Sequence, residues 1–421
     1  MKERTAKKFH LLVMGCQMNR ADAERIEKIL SDLGYQKIEQ EIGADLIVVV
    51  ACSVRKSAVD RVYGKAANWR KRRRAGQLKT ILTGCVLEAD KHKLADRFDK
   101  ILSITEIGKL PEILDGGKKL AAGDYLCLPA LRESSFSAFV PISNGCNNFC
   151  SYCAVPYTRG REVSRDAASV IKECQELIKA GYKEIVLLGQ NVNSYKSGDY
   201  DFPKLLSEID AIAGDYWIRF LTSHPKDFSG ELIEVMAQGR HITPYLHLAL
   251  QSGDDEILKK MNRHYTAKHY LDLIKKTKEE IPNLSVSTDI IVGFPGESRQ
   301  QFKRTAAAMQ QAGFSMVYLA QYSPRPQTAA AKLKNDVPKA EKKRREDELN
   351  EILKKTALAD NRRYEGLVMK VLVDGYRKGK CYGKTENCKI VSFDGDELLI
   401  GKFAPVLIVK AGSFSLEGKL A

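Results

Sequence analysis

The sequence predicts an α/β protein in three parts: an N-terminal doubly wound parallel sheet, a central partial (β/α)6 barrel and a small C-terminal antiparallel β-barrel. Up to about residue 330, continuous apolar strands alternate with helix-periodic segments, a pattern typical of parallel sheets covered on both faces. Beyond residue 366 the pattern changes to short β-rich runs. A chain of 421 residues is long enough to form three hydrophobic cores.

The N-terminal segment contains three strand–helix units, and a cysteine follows each strand. The predicted elements are strands over residues 8–14, 45–50 and 80–82 and helices over residues 22–33 and 54–74. The strands are followed by Cys16, Cys52 and Cys85. Because the carboxyl ends of parallel strands meet at one edge of a sheet, we expect these cysteines to converge on a three-thiolate site. Any one of them alone would more often be a small core residue.

The central segment alternates six strands with helices, which favours a partial or complete parallel barrel with its chemistry at the C-terminal mouth. The predicted strands span residues 139–142, 184–188, 217–222, 245–250, 285–292 and 316–322. Helices are predicted over residues 167–180, 203–212, 231–238 and 299–311. Polar and glycine-rich segments follow five of the strands, at residues 189–191, 222–225, 251–254, 293–297 and 321–324. Each could be an ordinary turn, but their common position favours a site. His224 could cap a turn or act in catalysis.

A short loop after the first barrel strand contains Cys146, Cys150 and Cys153. Zinc sites usually have a fourth protein ligand, and no further Cys or His lies nearby in the sequence. Three thiolates instead suit a cubane iron–sulfur cluster, in which one iron stays open to an exogenous ligand. The alternative, three buried cysteines in an ordinary loop, has little weight at this spacing. The remaining cysteines are interpreted as structural: Cys127, Cys174, Cys381 and Cys388.

The tail combines a charged helix over residues 337–363 with five predicted strands, which suggests a small antiparallel barrel. The strands are predicted over residues 367–373, 381–384, 389–393, 398–400 and 406–409. Lysines on the turns of such a barrel suit phosphate contacts and recognition of RNA shape. The alternative is a structural cap that docks on the central barrel.

The net charge of +15 points to a polyanionic partner, nucleic acid before membrane, although solubility alone could explain it. The apolar run at residues 9–13 is too short for a signal peptide or a membrane span, so we expect a cytoplasmic protein. The ten cysteines are then expected to be reduced thiols, more often metal ligands than disulfides. The basic run at residues 70–74 is either a solvated helix face, the favoured interpretation, or a phosphate contact.

Three strings of residues carry a resemblance to a known family. Residues 146–165, together with 15–19 and 188–193, resemble the radical S-adenosylmethionine (SAM) methylthiotransferases. Within that family they are most similar to the MiaB-type enzymes, which add a methylthio group to C2 of N6-isopentenyladenosine next to the anticodon of tRNA. Residues 383–403 resemble the TRAM domain, an RNA-binding module. The resemblance covers nearly the whole chain and implies domains at 6–125, 132–362 and 364–421.

The resemblance implies two 4Fe–4S clusters, one on each cysteine trio, and no catalytic side chains beyond the cluster ligands. SAM would bind the open iron at Cys146, Cys150 and Cys153, where its reductive cleavage yields a 5′-deoxyadenosyl radical, and the N-terminal cluster would hold an exogenous sulfide. Candidates for holding SAM are Tyr152, Gly189, Gln190, Asn191, Gln251 and Phe294. Candidates for RNA contact are Arg159, Arg161, Lys384 and Lys389, although Arg159 and Arg161 could equally form salt bridges within the barrel. The implied partners of a monomeric enzyme are tRNA and a low-potential electron donor such as flavodoxin or ferredoxin.

The alternatives are sister methylthiotransferases, which act on threonylcarbamoyladenosine in tRNA or on an aspartate of a ribosomal protein, and a non-catalytic RNA-binding iron–sulfur protein. Residues 17–19 favour the isopentenyladenosine branch, and the barrel-mouth motifs favour an enzyme. The chain departs from the family pattern at three places. It has residues 50–51 Val-Ala for the usual Asn-Thr, 87–88 Leu-Glu for a small residue and Gln, and 248–254 Leu-Ala-Leu-Gln-Ser-Gly-Asp for Leu-Pro-x-Gln-Ser-Gly-Ser.

Overall fold

The computed structural model describes residues 6–53, 56–118, 120 and 125–421. Val54 and Arg55, where the second helix is predicted to begin, lie outside these ranges. The N-terminal elements are β1 (Lys8–Val13), α1 (Gln17–Asp32), β2 (Gln36–Lys37), β3 (Leu46–Cys52), α2 (Lys56–Arg74), β4 (Lys79–Cys85), α3 (Glu88–Leu94), β5 (Lys100–Ile101) and α4 (Leu110–Asp115).

The N-terminal strands form a parallel sheet in the order β2-β1-β3-β4-β5. The central strand β3 is buried along its whole length. Its alternate residues enter two different cores: Leu46, Val48 and Val50 one of them, and Ile47 and Val49 the other. Because successive side chains of a strand point to opposite faces, this partition confirms the predicted doubly wound sheet with both faces covered.

The central segment contains ten strands and seven helices within the residues that the structure describes. They are β6 (Ser137–Pro141), β7 (Ser143–Asn144), α5 (Val155–Arg159), β8 (Val163–Ser164), α6 (Ala167–Lys179), β9 (Glu184–Leu188), β10 (Lys196–Ser197), β11 (Tyr200–Asp201), α7 (Phe202–Asp210), β12 (Trp217–Phe220), α8 (Gly230–Gln238), β13 (Tyr245–His247), α9 (Asp255–Lys260), α10 (Ala267–Glu280), β14 (Ser285–Val292), α11 (Arg299–Ala312) and β15 (Met316–Gln321).

Six of these strands follow one another around the barrel in chain order: β6, β9, β12, β13, β14 and β15. The first three and the last three form parallel ladders, and the bridges Ile218–Ile242 and Ser223–Leu248 join the two groups. In the described ladders β6 and β15 each pair with one barrel neighbour, so the barrel is open along one side. The predicted partial (β/α)6 barrel is confirmed.

Helix α1 of the N-terminal part lies against the inner face of this open barrel. Its Met18 and Ala21 pack in one apolar cluster with Val186 and Leu188 of β9. The intervening Ile185 and Leu187 belong to the main core between the strands and the outer helices. The N-terminal sheet is therefore attached to the barrel through the helix that begins at Cys16.

The tail consists of α12 (Lys339–Arg362), β16 (Val368–Arg377), β17 (Lys380–Thr385), β18 (Ile390–Asp394), β19 (Phe403–Ala411) and β20 (Leu416–Leu420). The five strands close into a barrel, in which β18 and β20 run parallel and the other described pairs are antiparallel. The strand predicted at residues 398–400 is wrong. Asp396 accepts a hydrogen bond from the N–H of Leu398 and starts a 3-10 turn, and β20 supplies the fifth strand instead.

The tail barrel docks on the amino end of the central barrel through the turn at residues 385–389. The buried Arg219 of β12 donates to the carbonyl oxygens of Thr385 (2.8 Å) and Glu386 (2.5 Å) while pairing with Glu184 (2.6 Å). The rings of Trp217 and Phe403 pack in a tilted arrangement with their centres 4.6 Å apart. No helix in the described residues is long and apolar enough to cross a membrane.

Candidate functional site

The three N-terminal cysteines lie together at the carboxyl edge of the first sheet. Cys52 and Cys85 are register partners at the ends of the neighbouring strands β3 and β4. Cys16 is the N-cap residue of α1, so its sulfur stands at the positive end of the helix dipole. The convergence expected from the strand ends is thus present.

Asn19 connects two of these cysteines. The thiols of Cys16 (3.6 Å) and Cys85 (3.7 Å) donate to its Oδ1, and its Nδ2 donates to the carbonyl oxygen of Ala51 (2.9 Å). Gly84 makes the close approach of the strands possible, because a Cβ there would lie 2.4 Å from that carbonyl oxygen. Asn19 is buried and was marked in the sequence only by its place in the string 15–19.

The second trio lies on the loop between β7 and α5. The loop is tied to α9, since Ser151 donates through its N–H to the carbonyl oxygen of Met261 (2.9 Å) and through Oγ to that of Lys260 (2.8 Å). Its start is tied to the next strand end, where Gln190 Oε1 accepts from the N–H of Gly145 (2.5 Å). These bonds give Cys146, Cys150 and Cys153 a fixed frame at the barrel mouth.

Arg263 is a site residue that the sequence analysis missed. Its Nη1 donates to Cys150 Sγ (3.5 Å), its Nη2 to the carbonyl oxygen of Ala249 (2.6 Å) and its Nε to Tyr265 Oη (2.9 Å). The side chain is buried, so its charge faces the cysteine sulfur in a region of low polarity. It follows α9 in a polar turn without a motif, and no sequence pattern marked it.

Four successive barrel strands each end near a buried side-chain oxygen that has no hydrogen-bond partner among the described residues. These atoms are Ser143 Oγ, Asn191 Oδ1, Ser223 Oγ and Gln251 Oε1. Buried polar groups normally have partners, and each orphan costs free energy unless something fills it. A row of free acceptors at one mouth fits the amine and hydroxyl groups of a bound SAM. Asn191 and Gln251 were predicted from the sequence, whereas Ser143 was missed.

The other SAM candidates occupy different positions around this mouth. Gln190 holds the cluster loop, and Gly189 follows β9 where a Cβ would lie 2.6 Å from Ser143 Oγ. The Phe294 side chain is buried against Tyr322, and Tyr152 packs on the edge of the same apolar cluster. Any contact of Phe294 with SAM would therefore involve its backbone. These assignments to SAM remain predictions.

His224 caps the turn after β12. Its Nδ1 accepts from the N–H of Lys226 (3.1 Å), and burial lowers its pKa to about 2. The imidazole is therefore neutral at physiological pH. Of the two roles left open by the sequence, the structure supports capping.

Arg159, at the end of α5 and six positions after Cys153, contacts the N-terminal cysteine trio. The guanidinium donates to Cys85 Sγ (2.8 Å), Tyr125 Oη (3.0 Å), Asn144 Oδ1 (2.9 Å), Asn19 Oδ1 (3.5 Å) and the carboxylate of Asp22. Burial alone would lower the pKa of Arg159, but Asp22, Cys85 and Tyr125 hold that pKa well above its usual value. The prediction that Arg159 contacts RNA is wrong in this structure, because its side chain is 1% exposed and every N–H group has a partner.

The remaining RNA candidates divide into two kinds. Lys389 is buried and forms an ion pair with Asp360 of α12, so the prediction that it contacts RNA is also wrong. Lys384 keeps 46% of its side chain exposed beside Asp374, and Arg161 is exposed over the ring of Phe149. For Lys384 and Arg161, RNA contact stays a prediction.

The donor sets fit iron–sulfur clusters better than a single metal ion. No three Cys, His, Asp or Glu side chains in the described ranges are arranged to hold one ion. A cubane attaches each thiolate to a different iron, so its ligands need not meet at one point. Burial raises the pKa of Cys85 and of Cys153 to about 12, so metal binding must displace a proton at each sulfur.

Three family models match successive parts of the chain. The model described as "Uncharacterized protein family UPF0004" matches residues 8–105. The Radical SAM superfamily model matches residues 140–309, and the TRAM domain model matches residues 362–421. The two cysteine trios thus fall in two different family matches.

Curated relatives align with the chain over almost its full length. A tRNA-2-methylthio-N(6)-dimethylallyladenosine synthase from Clostridium perfringens (strain SM101 / Type A) is 39% identical over 442 aligned positions, with 98% of each chain covered. A protein of the same name from Dictyoglomus thermophilum is 41% identical over 432 positions, again with 98% of each chain covered. The relatives therefore share all three parts of the molecule.

Among solved structures, the radical SAM methyltransferase TsrM from Kitasatospora setae has a similar fold. It was solved with cobalamin and a [4Fe-4S] cluster bound. The TM-score is 0.55 at 14% identity, covering 78% of this chain and 77% of TsrM. At this identity the likeness concerns the fold alone.

Proposed function

The chain belongs to the radical SAM methylthiotransferase family of tRNA-2-methylthio-N(6)-dimethylallyladenosine synthases, and we propose that both of its cysteine trios hold 4Fe–4S clusters for the transfer of a methylthio group to C2 of N6-isopentenyladenosine next to the tRNA anticodon. The observation that carries this proposal is the contact of Arg159, next to one trio, with Cys85 of the other. The segment that follows the second trio is thereby held against a cysteine of the first. The sister activities and the non-catalytic alternative are not favoured by the named relatives.

As a radical SAM enzyme, the chain uses a 4Fe–4S cluster and SAM, which supply the radical chemistry that no side chain can perform. We assign Cys146, Cys150 and Cys153 to that cluster. Asn191 and Gln251 then offer their unpaired oxygens to SAM and fix its orientation. Arg263 holds Cys150 in place through its N–H group.

We assign Cys16, Cys52 and Cys85 to a second cluster, whose open iron would hold the sulfide that is transferred. Support comes from their convergence at one sheet edge. Asn19 orients two of these sulfurs, and α1 carries them against the barrel.

The RNA partner fits the charge of +15 and the TRAM domain match. We propose Arg161 and Lys384 as phosphate contacts, since both are exposed cations. We also propose that a low-potential carrier such as flavodoxin or ferredoxin supplies the electrons. A cytoplasmic location fits the use of these cysteines as metal ligands, which needs reduced thiols, and the assembly of the site within one chain fits a monomer. The proposed domain boundaries are 6–125, 132–362 and 364–421.

Iron analysis tests the two-cluster assignment. Two cubanes predict about eight irons per chain after anaerobic reconstitution, and about four when Cys16, Cys52 and Cys85 are replaced together by Ala. A wild-type chain that takes up only about four irons would overturn the second cluster, while leaving the radical SAM assignment intact.

Nucleoside mass spectrometry tests the substrate. Deleting the gene should abolish the methylthio-isopentenyl nucleoside in tRNA and raise its unthiolated precursor. Re-expression of the wild-type chain should restore the product, whereas the variant lacking the three N-terminal cysteines should not. An unchanged nucleoside profile after deletion would contradict the proposed substrate.

A further inference from the structure

Arg159 donates a hydrogen bond to the N-terminal cysteine trio, although it lies close in sequence to the other trio. It follows Cys153 by six positions, yet its Nε donates to Cys85 Sγ at 2.8 Å. Both Arg159 and its partner Asp22 are almost completely buried, with 1% and 0% of their side chains exposed. A cation placed this close to a sulfur, out of contact with water, exerts a strong and specific field on it.

The hydrogen bonds around Arg159 fix the orientation of its guanidinium group. Asn144 and Tyr125 accept from its Nη1, and Tyr125 Oη in turn donates to Asn144 Oδ1 (2.9 Å). Asp22 accepts from its Nη2 and balances its charge, while the other carboxylate oxygen of Asp22 has no partner among the described residues. Hydrogen bonds thus hold both terminal nitrogens of the guanidinium, and Nε is left to donate to the sulfur of Cys85.

We propose that Arg159 is a positioning residue for the N-terminal cluster, holding Cys85 in place as a ligand and raising the reduction potential of that cluster. The proposal rests on the assignment of a cluster to Cys16, Cys52 and Cys85. A hydrogen bond and a positive charge at a ligand sulfur stabilise the more negative, reduced form of a cluster. Partners of metal ligands commonly change metal affinity 10- to 100-fold when they are removed.

The test uses full-length chains in which Cys146, Cys150 and Cys153 are replaced by Ala, so that all bound iron belongs to the N-terminal site. In this background, Arg159→Gln should lose iron to a chelator about 10 to 100 times faster and should shift the reduction potential to a more negative value. Arg161→Gln, an exposed arginine two positions away, is the matched control and should change neither.

A second pair of variants separates electrostatics from folding. Asp22→Asn leaves the charge of Arg159 unbalanced and should shift the potential in the positive direction, opposite to Arg159→Gln. The double variant Asp22→Asn with Arg159→Gln removes both buried charges, so it guards against misfolding caused by a lone carboxylate. A purely structural role would not produce shifts of opposite sign.

The outcomes distinguish a failure of the proposed role of Arg159 from a failure of the second-cluster assignment. If the background chain binds about four irons and Arg159→Gln matches Arg161→Gln in iron release and potential, the role of Arg159 is overturned and the second cluster stands. If the background chain binds no iron, both the second cluster and the role of Arg159 are overturned. Faster release together with shifts of opposite sign for the two single variants would support the proposal.

Discussion

At the scale of single residues, Gly145 determines whether the loop with Cys146, Cys150 and Cys153 can close. Its φ is +81°, and a Cβ at this position would lie 2.1 Å from the carbonyl oxygen of Arg161. An L side chain would therefore meet both backbone strain and backbone atoms that cannot move aside cheaply. The glycine allows the start and the end of the loop to touch.

Gly145→Ala should therefore reduce iron binding at this loop. We expect reconstituted protein to hold about four irons instead of about eight, together with a loss of stability of at least about 1–3 kcal/mol from the strained φ. The control is Gly160→Ala, because Gly160 has the same φ of +81° but no atom within 4 Å of the added Cβ. A full complement of iron in Gly145→Ala would contradict this account of the loop.

The sequence predicted which residue types the site needs better than it predicted what each cation does. The six cysteines of the two trios could be picked out because their spacing and their positions after strands are geometric signals. Arg159 and Lys389 show the limit, since a sequence does not reveal whether a cation meets solvent or a buried carboxylate. Arg263 lies beside Cys150 only because the turn after α9 folds back, and that contact has no local signature.

At the scale of elements, α1 brings the N-terminal cysteines to the barrel. It begins at Gln17, five residues before the predicted start, because Cys16 takes the N-cap position. Its buried face includes Ala21, which has no exposed surface and packs in the cluster with Val186 and Leu188. A small side chain at this point lets the helix approach the strand closely.

Ala21→Leu should push α1 away from β9. Overpacking of this kind costs about 1–3 kcal/mol. We expect the variant to keep both clusters but to lose methylthio transfer by about tenfold or more, because displacements of about 1 Å can cost 100-fold in rate. Met18→Leu, a volume-conserving change in the same cluster, should cost less than about 1.5 kcal/mol and stay active. Iron content and product formation would be measured on the same samples.

The elements themselves were predicted well where hydrophobic pattern alone decides them. Strands β9 and β14 have their predicted bounds, β9 because it is an almost continuous apolar run and β14 because it is rich in β-branched residues. The prediction failed at residues 398–400, where an apolar triplet follows an Asp that caps a turn. It also missed β20, whose central glycine weakens the alternating pattern of Leu416–Leu420.

At the scale of the whole molecule, the N-terminal part and the tail both pack against the central barrel. Helix α1 joins the first part to the barrel, and the turn at 385–389 joins the tail to it. The sequence predicted all three parts, and the strand-end rule predicted convergence within each sheet. It could not predict how the parts dock, because docking depends on contacts between residues far apart in the chain, such as those of Arg219 with the backbone of Thr385 and Glu386.

Binding of tRNA should distinguish the two lysines of the tail. Lys384→Ala should weaken affinity and reduce the slope of log K against log salt by about one, as expected for one lost phosphate contact. Lys389→Ala should leave that slope unchanged and instead lower stability, because Asp360 loses its buried partner. Filter binding at several salt concentrations would measure the first effect and thermal unfolding the second. Equal salt slopes for the wild type and the Lys384 variant would contradict the assignment of Lys384.

The hydrogen bonds from Arg219 to the backbone of the tail have a consequence for how a bound substrate is positioned. They hold the tail barrel against the amino end of the central barrel, so the tail is docked and not merely tethered by α12. An RNA bound by Lys384 of the tail, as proposed above, would then lie at a constant distance from the mouth of the central barrel. We therefore expect the distance between the tail and the barrel mouth to determine which nucleotide of the bound RNA enters the site.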